Sequence, residues 1–181
     1  MKKYFLFFLL LSFLIFHSCQ LGGSKAGAVD PDETMPGRKV MTLNPDSTPK
    51  VVYYYPVDAQ GNPIGKHNRE IHYLPGKKKY VEGYVQDDKR NGEWKSYFED
   101  GATLKSIANY NDGKLDGSYK IFHENGKIWI DGQYKNGNCD GKWIYYDATG
   151  KITNEFTTNE NSIGCQNCPK CYDVSRDKLT S

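Results

Sequence analysis

Glycine and aromatic residues recur along this chain with one period, and that period constrains the fold more than any other feature. Residues 92–101 read GEWKSYFEDG, residues 117–126 GSYKIFHENG and residues 141–150 GKWIYYDATG. Each runs Gly, one residue, aromatic, two residues, aromatic, three residues, Gly. Gly76, Gly101, Gly126 and Gly150 stand 25, 25 and 24 residues apart, and Gly92, Gly117 and Gly141 stand 25 and 24 apart. Gly113 and Gly137 also align, with Asp88 in their place in the first copy. Three aromatic-rich columns keep the same step: Trp94, Tyr119 and Trp143; Tyr97, Phe122 and Tyr146; and Val85, Tyr110 and Tyr134. Self-similarity at such a period marks stacked supersecondary units.

The content of one unit is two short strands and two turns. Asp100-Gly101, Asp112-Gly113, Asn125-Gly126 and Asn136-Gly137 tolerate the positive φ angles of tight turns. Gly92, Gly117, Gly141 and Gly150 are read as turn residues as well. The runs between them are aromatic and β-branched, and too short for helices of about 11 residues. No segment repeats apolar residues at 3.6 spacing, so helix should be scarce. One hairpin buries too little to stand alone, whereas hairpins placed edge to edge let each aromatic row rest on the next. The expected fold is therefore all-β, with consecutive antiparallel hairpins of 24–25 residues stacked into an elongated, twisted repeat sheet. Its expected core is Trp94, Tyr97, Tyr110, Tyr119, Phe122, Tyr134, Trp143 and Tyr146. Columns three residues apart cannot share a face in a regular strand. Either a bulge reconciles them or one column faces solvent, as Trp129 and Tyr145 do on the same reading.

Outside the repeats the chain changes character. Lys2-Lys3 precedes 13 largely apolar residues, Tyr4–Phe16, a run shorter than the ~20 that span a bilayer as a helix. His17-Ser18-Cys19-Gln20 follows at once. The arrangement resembles a bacterial lipoprotein signal, which implies removal of residues 1–18 and acyl chains on Cys19; an ordinary secretory signal cleaved nearby and a retained membrane anchor are the alternatives. Cell-surface lipoproteins often carry an acidic cluster just after that cysteine. Here the stretch is Gln20-Leu21-Gly22-Gly23-Ser24-Lys25, so a periplasm-facing lipoprotein of the bacterial envelope is expected. Residues 19–50 contain Pro31, Pro36, Pro45 and Pro49 and no aromatic side chain, and read as a flexible, lipid-linked tether. Residues 51–158 are the repeat domain, opening with degenerate units in which Lys77-Lys78-Lys79 could blunt an edge or turn. Residues 159–181 form a cysteine-rich tail.

At residues 51–158 the chain resembles the MORN-repeat variant family, whose bacterial members are commonly labelled antitoxin components. The matching stretches are Tyr110-Asn111-Asp112-Gly113-Lys114-Leu115-Asp116-Gly117 and Tyr134-Lys135-Asn136-Gly137-Asn138-Cys139-Asp140-Gly141, each with the run that follows it. The resemblance implies a scaffold that binds through its surface.

Chemistry-bearing residues are few. The whole chain has 24 basic and 22 acidic side chains; residues 1–18 contain Lys2 and Lys3 and no acid, so the rest balances at 22 of each. That gives no basic excess for nucleic acid. Cys165, Cys168 and Cys171 repeat a Cys-x-x-Cys spacing and, with Cys139, make four thiols. Four thiols can pair as disulfides, which an exported chain favours, or hold a structural zinc. Iron–sulfur binding and thiol exchange are weaker readings, since the run lacks the further Cys-Pro of a ferredoxin and a strand–helix redox scaffold. His67, His72 and His123 read as surface residues, and no serine or cysteine stands with a histidine as a nucleophile. A non-catalytic envelope binding protein without a cofactor is therefore expected. Its partners would be the membrane, through Cys19, and an unidentified protein or envelope ligand. A purely structural component, an antitoxin-like protein and a cysteine-linked metal or redox protein are the alternatives.

Overall fold

The computed structural model describes residues 31–158. The signal segment with Cys19, and the tail with Cys165, Cys168 and Cys171, lie outside the described residues. The strands are β1 (Arg38–Leu43), β2 (Pro49–Tyr54), β3 (Arg69–Leu74), β4 (Lys78–Gln86), β5 (Lys89–Tyr97), β6 (Leu104–Asn111), β7 (Lys114–Phe122), β8 (Ile128–Lys135), β9 (Asn138–Tyr146) and β10 (Ile152–Thr158). They form one antiparallel sheet in which spatial order equals chain order. Among the described residues only two short 3-10 turns, Pro31–Thr34 and Pro75–Lys77, are helical.

Two kinds of turn alternate along the sheet. On one side β4–β5, β6–β7 and β8–β9 are joined by two residues, with Gln86↔Lys89, Asn111↔Lys114 and Lys135↔Asn138 as the last cross-strand partners. Both central residues have positive φ, as at Asp112 (48°) and Gly113 (81°), the type I′ geometry that matches strand twist. Gly137 occupies the same position after Asn136, and in the first copy Asp87-Asp88 adopts it without glycine. On the other side, longer turns place Gly101, Gly126 and Gly150 so that their N–H groups donate to the carbonyls of Phe98, His123 and Asp147, each at 2.9 Å. Asp100, Asn125 and Asp147 brace these turns by accepting backbone N–H bonds with their side chains.

Gly92, Gly117 and Gly141 lie inside β5, β7 and β9, not in turns. Three residues around each oppose a single residue of the preceding strand: Tyr84, Asn109 and Gly132. The glycines carry the backbone through these bulges with positive φ, 107° at Gly117. Turn and bulge glycines have the same sequence signature, since both answer a demand for left-handed backbone.

The interior follows from the cross-strand register. Gly83↔Trp94, Trp94↔Ala108, Ala108↔Tyr119 and Tyr119↔Gly132 form one continuous row on one face. Trp143 and Phe156 extend it. Large and very small side chains alternate in this row. A Cβ on Gly83 would lie 2.3 Å from the Trp94 ring, and one on Gly132 would lie 2.4 Å from the Trp143 ring. The indoles therefore lie flat over neighbouring backbone, leaving Trp94, Tyr119 and Trp143 only 3, 3 and 0% exposed. Tyr134 meets both Tyr119 and Trp143 edge-on, at ring separations of 5.2 and 5.1 Å. Arg90 lies 4.2 Å above the Trp94 ring, and Tyr110 packs half-buried beside it.

A second cluster, Val52, Tyr54, Ile71 and Tyr73, lies on the opposite face. His72 pairs with Val81, which belongs to the first face, so its neighbour Ile71 must point the other way. The buried side of the sheet thus changes between β3 and β4. Residues 31–50, which the composition assigned to the tether, form part of this second interior. Pro31–Thr34 folds over it, Tyr54 donates from its hydroxyl to the Asp32 carbonyl at 2.9 Å, and β1 pairs with β2. The missing aromatics are replaced there by an ionic lattice. Arg69 donates to Asp32 at 2.9 Å and to Glu82 at 2.7 Å, and Lys79 also bonds Asp32. Burial alone would raise the Asp32 pKa, but Lys79 and Arg69 outweigh it and hold the carboxyl below its ordinary value.

Two predictions test these interiors. Gly132→Ala should lower stability by about 1–3 kcal/mol in urea unfolding, because the indole of Trp143 has nowhere to retreat; an unchanged midpoint would show that the ring does not depend on the absent side chain. Asp32→Asn should cost about 1–3 kcal/mol at pH 7. The folded-state pKa lies below the unfolded one of about 3.9, so this contribution is full above that value and fades as pH falls through the folded pKa. Wild type and variant should therefore converge in strong acid, and a gap unchanged between pH 7 and pH 2 would contradict the assignment.

Candidate functional groove

Single-residue bulges recur near the longer turns. Tyr80, Lys105, Trp129 and Thr153 are each the unpaired extra residue of β4, β6, β8 and β10. A bulge re-aims the side chain it carries. Tyr80 and Lys105 line one open groove of about 720 Å³ with Leu74, Tyr97, Phe98, Glu99, Asp100, Thr103 and Glu124. Lys105 and Trp129 line a second hollow of about 310 Å³ with Phe98, Ile121, Phe122, His123 and Glu124. Phe98, Lys105 and Glu124 line both, so the two hollows adjoin and together follow the strand order from the end of β3 to β8. The volume of each falls within the range of ligand sites, and rings and charged groups share the lining.

The aromatic groups of the groove are held in different ways. Tyr97 donates its hydroxyl to Glu82 of the ionic lattice on the opposite face, so its ring points there and only its strand position borders the groove; burial first, and then that carboxylate, push the phenol pKa well above its ordinary value. His123 donates from Nε2 to the Tyr146 carbonyl at 3.0 Å, and its ring lies 5.8 Å from Trp129. It is thus half-buried and oriented, not a freely solvated residue. The Lys105 ammonium sits 5.9 Å over the Phe98 ring. Trp129, 36% exposed, offers the largest open ring. Glu99, Asp100 and Glu124 supply carboxylates on exposed turns.

Of the two aromatic columns three residues apart, Trp94, Tyr119 and Trp143 are buried, whereas Tyr97, Phe122 and Tyr146 are half-buried, and the first two of these border the groove. Tyr145, expected to face away from the stack, pairs with Ile130 and packs on the main cluster beside Phe156. The column Gly83, Ala108 and Gly132 escaped sequence reasoning although it keeps the 25- and 24-residue step. Its signal is smallness, opposite each large ring. Tyr80, Lys105 and Trp129 escaped as a set because they share a position and no chemistry.

Of the residues considered for metal or thiol chemistry, Cys139, His67 and His72 lie among the described ones. Cys139 is buried and disulfide-bonded, so its sulfur is committed to a covalent bond and is not a thiolate ligand. His67 and His72 each hydrogen bond through Nε2 to one oxygen of Glu70 at 3.0 Å, and the Tyr53 ring stacks 3.9 Å from His67. These histidines are half-buried. No group of three or more His, Cys, Asp or Glu residues suited to a metal is found among the described residues.

No curated protein matches the chain significantly. Three solved structures with local likeness are the glycosylation-associated Gap123 complex of Streptococcus agalactiae, TarM, and the complex of accessory secretory proteins 1, 2 and 3 from Streptococcus pneumoniae. Their identities are 13, 21 and 12%, with TM-scores of 0.41, 0.41 and 0.33 over 68, 71 and 57% of this chain. The matches cover 22, 22 and 19% of those chains, about a fifth of their length. The model of the MORN repeat variant matches residues 90–112, 115–136 and 140–160. The first match starts in β5 and the last ends just past β10. Residues 90–160 are thus a MORN-repeat-like region of consecutive hairpin units.

Proposed function

We propose that this protein is a non-catalytic binding protein of the bacterial envelope, held at the membrane through acyl chains on Cys19 and engaging a partner through the aromatic groove. The observation that carries the binding role is the pair of adjoining hollows at the bulges, with Trp129 open at one end and Tyr80 toward the other. Solvent-facing rings in a concave, half-apolar setting are the usual anchors of recognition. The repeat sheet supplies a rigid support, because every strand contributing to the groove floor is paired on both sides. Acylation rests on the His17-Ser18-Cys19 sequence and its preceding apolar run. Multiple acyl chains would hold the protein without help from the folded part.

Capture from envelope extract tests the groove. The wild-type protein should retain a partner that Trp129→Ala and Phe98→Ala each release, with a loss of about 2 kcal/mol or more in binding for a central anchor. Equal retention by all three would place binding elsewhere, and retention of nothing by the wild type would favour a purely structural role. Cys19→Ser should abolish acyl mass in intact-protein spectrometry and move the protein from the membrane to the soluble fraction. A variant that stays membrane-bound would overturn the lipoprotein reading.

A further inference from the structure

The groove has a period, and the period selects a ligand conformation. It crosses the strands, so equivalent positions on successive hairpins are separated by two strand spacings, about 9.5 Å. Phe98 and His123 stand one such step apart. Tyr80, Lys105 and Trp129 follow the same step on β4, β6 and β8. A polyproline II helix repeats every three residues at about 3.1 Å each, or about 9.3 Å per turn. Residues i, i+3 and i+6 of such a segment would meet successive hairpins in phase. An extended β ligand repeats its facing side chains every ~6.8 Å, and an α-helix returns a residue to one face every two turns, ~10.5 Å, so both fit the ~9.5 Å step less closely and drift further with each hairpin.

Backbone geometry points the same way. Strands β4–β8 are internal to the sheet, and their peptide groups already pair on both sides. A ligand in the groove therefore finds few main-chain partners and cannot bind by adding a strand. Polyproline II needs no such partners, and aromatic-lined grooves are the usual receptors for it. The charges select further. Glu99, Asp100 and Glu124 line the groove against one lysine, Lys105. Asp100 is committed to its own turn through the N–H groups of Ala102 and Thr103, which leaves Glu99 and Glu124 as the carboxylates that face a ligand.

We infer that the groove between Tyr80 and Trp129 takes a proline-rich segment of a partner protein, in polyproline II conformation and bearing arginine or lysine. This rests on the binding role proposed above and names its ligand class.

The test uses the full chain in detergent and fluorescein-labelled (Pro-Pro-Arg)4, followed by anisotropy. The control peptide (Gly-Gly-Arg)4 keeps the charge and removes the helix, and a chito-oligosaccharide serves as competitor. The proline peptide should bind at least tenfold more tightly than the glycine peptide. Trp129→Ala should weaken it tenfold or more. The double variant Glu99→Gln/Glu124→Gln, on exposed turns, should weaken it severalfold and flatten its salt dependence. It keeps the test decisive should Trp129→Ala unfold. Equal affinity for the two peptides, or indifference to the glutamate pair, overturns the inference. Displacement by the oligosaccharide at lower concentration also overturns it and assigns the groove to a glycan. A partner retained from envelope extract and lost in Trp129→Ala, alongside no peptide binding, would sink the ligand class and leave the binding role standing.

Discussion

A ring laid over a position that has no side chain is the contact on which this sheet depends. The described strands form a single layer, so the interior among them comes mainly from residues of the sheet itself. Trp94 over Gly83 and Trp143 over Gly132 solve this by folding each indole flat onto the neighbouring strand. Tyr119 beside Ala108 repeats the solution with a smaller ring and a slightly larger neighbour. Burial of one such aromatic is worth roughly 1.5–3 kcal/mol, enough to matter when each hairpin alone is marginal.

The two sets of bulges divide the work of the repeat. Those around Gly92, Gly117 and Gly141 take up extra residues beside the I′ turns and bring Arg90, Leu115 and Cys139 to the buried side. Those at Tyr80, Lys105 and Trp129 push one side chain per hairpin out of the alternating pattern and into the groove. Irregularity in this sheet is therefore periodic, and its period is also that of the candidate site.

Much of this was legible before any coordinates. The glycine ladder and aromatic columns announced hairpins of 24–25 residues, and the all-β sheet follows them strand by strand. Three things were not legible, each for a physical reason. Glycine reports positive φ without saying whether a turn or a bulge requires it, which hid the placement of Gly117. Aromatic scarcity in residues 31–50 suggested a tether, but Asp32 is fixed by Arg69 and Lys79, partners far away in the chain. The groove side chains are unlike one another (a tyrosine, a lysine and a tryptophan), so no residue-type column could reveal them.

The change of buried side between β3 and β4 has a consequence for how such a chain can vary. Strands β1–β3 form a terminus with its own interior, unlike anything downstream, so they act as a fixed starting block. Beyond β4 the layout is modular. Duplicating one unit there would add a small–large step to the buried row and lengthen the groove by one hairpin spacing. The number of units would then set the length of the groove, with the starting block left untouched.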